Sequence, residues 1–130
     1  MIELGNLSVK NANARLETLK KIRRLAEDLG YDPIHAARIE TIVSEISRLG
    51  SDGQEGINIS VALDSRGGRS GLSMTFLSRG GVTRLPVAKT FFDAFDIDHT
   101  EEKTVRIKTF RYLPDSTFHP SDAFIEIQKQ

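Results

Sequence analysis

Two places in this chain carry residue types that can do chemistry. The first is Glu45, a carboxylate set inside an apolar repeat of Ile39, Ile42, Val43, Ile46 and Leu49. That i, i+3, i+4, i+7 spacing predicts a helix with one buried stripe. Leu49 follows Glu45 by one helical turn and shares its face. A leucine has no oxygen to offer a metal, so it reads as an extension of the Ile42/Ile46 stripe into the core. The plain reading of Glu45 is an exposed helix carboxylate paired with Arg48 or a nearby lysine, which adds little stability. The second place is Gly80-Gly81, flanked by Arg79 and Arg84. Adjacent glycines can aim backbone N–H groups at an anion. They suit equally a turn that needs positive φ.

Other chemistries lack support. His35, His99 and His119 fall in separate elements, without ligand spacing for a metal. No serine sits in a G-x-S-x-G setting, so a hydrolase triad is not expected. There is no cysteine, which removes disulfides, thiolate catalysis and thiolate metal sites. Lys+Arg and Asp+Glu balance at 18 each, so net charge steers the chain toward neither nucleic acid nor an anionic membrane. The basic run from Lys20 to Arg24 reads as a solvated helix face. No apolar run nears the ~20 residues of a membrane span, and MIELGNLSVK is no signal peptide. A cytoplasmic protein is expected.

These candidates need elements to position them. Ile2, Leu4, Leu7 and Val9 alternate loosely around Gly5, which predicts a short strand with a bulge or turn there. Asn11 or Asn13 can cap a first helix carrying Leu16, Leu19, Ile22, Leu25, Ala26 and Leu29, with Gly30 as its stop. Asp32 and Pro33 suit the N-cap and first position of the Glu45 helix. Ile57, Ile59, Val61 and Leu63 alternate with Asn58, Ser60 and Ala62 as a half-buried strand. Leu72, Met74 and Phe76 make a second, and Arg66-Gly67-Gly68-Arg69 is the tip of the hairpin they form. Pro86 opens a short helix with Val87, Phe91, Phe92 and Phe95 facing inward, followed by an edge segment at Asp96-Ile97-Asp98. Val105, Ile107 and Thr109 alternate through a last strand. Ser121-Asp122 can cap a final helix, although Phe124, Ile125 and Ile127 suit a strand as well. Helices followed by strands point to an α+β layer architecture.

Four stretches, in this order, resemble the GHKL ATPase superfamily, and most of all the small anti-sigma-factor serine kinases of bacterial partner-switching systems. IRRLAEDLGYDPIHAARIETIVSEISRL looks like the two helices that present the N-box. GINISVAL looks like the strand that follows, and FLSRGGV like a worn form of the strand and loop bearing D-x-G-x-G. LPVAKTFFDAFDIDHTEEKTVRIKTF looks like the last helix and strand, which in the family end near G-T-x-V. The resemblance runs from about Leu4 to Leu113. It implies a two-layer α/β sandwich of the Bergerat type, with helices on one face of a mixed, mostly antiparallel sheet. Residues 1–114 would form that domain, and 115–130 a C-terminal extension.

In such a family a glutamate on the N-box helix acts as general base. An asparagine one turn later holds Mg²⁺ on the ATP phosphates, an aspartate accepts from adenine, and a glycine-rich lid closes over the phosphates. Carried over, Glu45 is the relic of the base. Leu49 stands at the asparagine position. Ser78 stands near the aspartate position, and Gly80 and Gly81 remain of the nucleotide loop. Only Thr83-Arg84 separates that loop from Leu85-Pro86, too little for a lid. Lys103-Thr104-Val105 keeps Thr and Val of the last motif but has lysine for glycine. The resemblance therefore implies a member with a degenerate ATP site, no metal and no cofactor, working by protein–protein contact. Its partner would be a regulator in a sigma-factor or phosphatase pathway, or a second copy of itself. The alternatives are an active ATP- and Mg-dependent serine/threonine kinase or anti-sigma factor, and a small α+β interaction module with another partner.

Overall fold

The computed structural model describes residues 1–51, 56–78, 86–99, 104–115, 118 and 120–129. Strand β1 (Ile2–Val9) opens the chain, followed by helices α1 (Ala12–Asp28) and α2 (Pro33–Ser51). A hairpin of β2 (Ile57–Arg66) and β3 (Arg69–Ser78) comes next. Helix α3 (Pro86–Phe91), strands β4 (Ala94–His99) and β5 (Val105–Tyr112), and helix α4 (Asp122–Lys129) complete it. The strands form one five-stranded sheet in the order β1-β2-β3-β5-β4. All pairings among the described residues are antiparallel, in keeping with the mostly antiparallel sheet that was expected. The class is α+β, compatible with a two-layer sandwich.

Alternation sets the sheet's two faces. The register stacks Ile57–Ser78–Val105, Ile59–Phe76–Ile107 and Val61–Met74–Thr109 into rows that belong to the core. The opposite rows carry Asn58, Ser60, Thr75 and Lys108, which are exposed or half-exposed. β1 could not bury both Leu4 and Val9 by strict alternation, because an odd spacing puts them on opposite faces. The register slips between Glu3 and Gly5, and both side chains are buried. The hairpin turns at Gly67 and Gly68, whose φ of 59° and 79° is the two-residue geometry that matches strand twist.

Asn11 caps α1, its Oδ1 accepting from the Ala14 N–H at 2.8 Å. α1 buries Leu19, Ile22, Leu25 and Ala26 against α2 and the sheet. Leu16, expected on that stripe, is 55% exposed. At 3.6 residues per turn it points about 120° away from Ile22. α2 inserts Ala36, Ile39, Ile42, Val43 and Ile46 into the same core. Phe95, expected in the short helix, lies in β4 instead. The helix ends at Phe91, and the Arg111 guanidinium donates to the carbonyl left free there. Asp93 then ties the turn to β5, donating its N–H to the Phe110 carbonyl at 2.9 Å and accepting from the Tyr112 N–H at 2.8 Å. The C-terminal segment takes the helical option. Ser121 Oγ accepts from the Phe124 N–H at 3.1 Å, and α4 packs against β1.

One aromatic contact crosses the outer face. The Phe110 ring lies so close over Gly71 that a Cβ there would meet its Cζ at 2.2 Å. Arg66 roofs the ring at 4.8 Å, and Tyr112 abuts it edge-on at 5.0 Å.

Candidate functional site

The junction between α1 and α2 fixes where Glu45 stands. Tyr31 is buried there, and its hydroxyl donates to the carbonyls of Arg111 at 3.1 Å and Tyr112 at 2.8 Å. Burial pushes this hydroxyl well above its ordinary range, partly offset by the Arg111 guanidinium. It stays a neutral donor. Asp32 follows as the N-cap of α2, accepting from the His35 N–H at 2.8 Å. Its other oxygen meets His35 Nδ1 at 2.8 Å. The His35 N–H, then the His35 ring, hold the exposed Asp32 carboxyl below its ordinary range. Pro33 takes the first helical position, where a missing N–H costs nothing.

With its start pinned, α2 lays one side along an open cleft with a volume of about 810 Å³. Ile34, Ala37, Arg38, Thr41, Ile42 and Glu45 form this wall. The far wall is Thr90 and Phe91 of α3 with Arg111 of β5. Arg111 lies 4.0 Å over the Phe91 ring while donating to that residue's carbonyl, so it is locked rather than free to swing. The volume lies within the range of small-molecule sites, and lining of this mixed kind also suits a protein segment.

Glu45 is exposed on the cleft wall and makes no hydrogen bond or ion pair among the described residues. The expected pairing with Arg48 is therefore not its arrangement. A solvated, unpaired carboxylate can accept a proton or meet an arriving cation. Ser78, by contrast, ends β3 within the core row between Ile57 and Val105 and is 1% exposed. It does not line the Glu45 cleft. Gly80, Gly81, Arg79, Arg84 and the Leu49 side chain lie outside the described residues.

Arg111 is a site residue implicit in the strand pattern. It continues the Val105, Ile107, Thr109 alternation by one more step, which places it on the core side at the end of β5. A cation there must find acceptors, and the Phe91 carbonyl and ring supply them. The Tyr31 tether has no comparable local signal, because its acceptors lie some 80 residues away. No helix among the described residues is long and apolar enough to cross a membrane. Compared with models of known protein families the chain matches none, and no curated protein matches it.

Proposed function

We propose that this chain is a GHKL-like regulatory domain without kinase activity, working through protein–protein contact in bacterial signalling. The observation that carries the reading is the character of the Glu45 cleft. Its α2 wall carries the apolar surface of Ile34, Ala37 and Ile42, and its far wall is a locked Arg111–Phe91 pair. Glu45 is the one carboxylate among the described lining residues. The position one turn on is leucine, so the carboxylate has no oxygen partner there for Mg²⁺. Ser78, near the expected adenine-binding position, is buried and uncharged. The element order supports the same reading: α1, α2, the β2–β3 hairpin, α3 and, beyond the edge strand β4, β5 follow in the order of the stretches that carry the resemblance. Partners in a sigma-factor or phosphatase pathway belong to this proposal.

A second reading is favoured by the openness of the cleft and the unpaired state of Glu45. In it the chain is an active ATP-dependent kinase, with Glu45 as base and Gly80 and Gly81 holding phosphate. Calorimetric titration with Mg-ATP separates the two. The proposal expects no binding heat and no thermal shift at millimolar nucleotide. Saturable binding that requires the metal would overturn it in favour of the kinase.

A further inference from the structure

A second hollow, separate from the Glu45 cleft, opens beside the α1–α2 junction. Its volume is about 330 Å³, and Tyr31, Asp32, His35, Asp93, Arg111 and Tyr112 are among the residues that line it. That size is at the lower end of the range for small-molecule sites. Arg111 borders both spaces and forms the wall between them. Asp32 has spent both oxygens, one on the His35 N–H and one on the His35 ring. Asp93 has not. Its Oδ2 accepts from the Tyr112 N–H at 2.8 Å, while its Oδ1 has no hydrogen-bond or ion-pair partner among the described residues. Arg111 is in a similar state. One Nη donates to the Phe91 carbonyl and the guanidinium lies over the Phe91 ring, but its remaining donors meet no acceptor among the described residues.

A carboxylate and a guanidinium thus line one hollow without pairing with each other. Each is tethered elsewhere, Asp93 to the Tyr112 N–H and Arg111 to Phe91, so neither closes the gap. Burial dominates the Tyr31 hydroxyl in the same wall, yet both charges reach it, Arg111 drawing its pKa down and Asp93 pushing it up. A lone anion in this hollow answers Arg111 but faces Asp93, and a lone cation meets the reverse conflict. A ligand carrying one charge of each sign meets neither. We propose that this hollow binds a small zwitterion of the amino-acid class, its ammonium donating to Asp93 and its carboxylate accepting from Arg111. Both contacts are charge-assisted hydrogen bonds, the stronger kind. The site is distinct from the Glu45 cleft and goes beyond the reading of that cleft as a protein-contact surface.

The test is a titration of the ¹⁵N-labelled full chain, followed by the amide shift of Tyr112, whose N–H bonds Asp93. The probes are glycine, β-alanine and 4-aminobutyrate, which separate the two charges by increasing lengths, with acetate and methylammonium as one-headed controls. At least one zwitterion is expected to saturate at millimolar concentration or below. It should bind about tenfold or more tightly than either control, because the second contact forms within the complex. Asp93→Asn keeps an oxygen for the Tyr112 N–H and removes the charge. It is expected to weaken the zwitterion about tenfold, to the level of acetate, and to leave acetate unchanged. Asp96→Asn, which removes the same charge from β4 outside the hollow, should leave the zwitterion's affinity unchanged. Circular dichroism checks that each variant folds; if Asp93→Asn does not, the comparison with the one-headed probes decides alone. No saturation by any zwitterion, an affinity no better than the controls, or a folded Asp93→Asn that binds like the wild type or like Asp96→Asn would overturn the proposal.

Discussion

Replacing Tyr31 by phenylalanine removes one buried hydroxyl and keeps the ring. That hydroxyl reaches two carbonyls, at 3.1 Å on Arg111 and 2.8 Å on Tyr112. It has one proton to give, so the two contacts share a single donor and the loss is that of one bond. A buried hydrogen bond contributes roughly 1 kcal/mol net, and stranding its acceptors adds roughly as much again, so Tyr31→Phe is expected to cost about 1–2 kcal/mol. For a chain of this size that lowers the melting temperature by about 3–10 °C. Urea unfolding followed by circular dichroism reads the free energy, and an unchanged m-value shows that the unfolded state is unaltered. The loss should also be local. The Tyr112 and Leu113 amides, bonded to Asp93 and Ser70, should exchange faster, while the β1–β2 pairing stays protected. A change below about 0.5 kcal/mol would refute the reasoning, because water would then replace the hydroxyl at no cost.

Two further perturbations follow from the geometry. Asp32→Ala should destabilise α2 at neutral pH and flatten the acid limb of the stability curve. The Asp32 carboxyl is held below its ordinary 3.8, so its contribution is present above that value and fades as the pH falls through the folded-state value; unfolding free energy measured from pH 7 down to pH 2 checks this. Gly71→Ala should cost about 1–3 kcal/mol by overpacking against Phe110. The cost should shrink in a Phe110→Leu background, and a double-mutant cycle of unfolding free energies reads the coupling.

Local chemistry was legible and distant chemistry was not. Asn11, Asp32 and the Gly67-Gly68 turn act on neighbours within a few residues, so their types announced their roles. The Gly5 irregularity was readable for the same reason. Leu16 leaves the stripe because apolar spacing alone tolerates a residue that the helix angle rejects. Phe95 sits at helical spacing from Phe91 and Phe92, yet it pairs with Thr109 of β5, a distant partner that no local pattern announces. The cleft was half legible. α2 and Glu45 came from periodicity, while the far wall depends on β5 entering the sheet between β3 and β4, a pairing no local pattern encodes.

The Phe110–Gly71 contact has a consequence for how β3 and β5 find each other. Alternation guards against a slip of one residue, which would turn every core side chain outward. It is blind to a slip of two, which keeps the faces intact. Phe110 now pairs with Ser73, and its ring leans over the neighbouring Gly71. Shifted by two residues, the ring would meet Arg69 or Ser73, each with a side chain in its way. Only the native alignment offers it bare backbone. Gly71 and Phe110 therefore form a key and its slot, so that strands joined through a long intervening stretch of chain close in one alignment out of several equally hydrophobic ones.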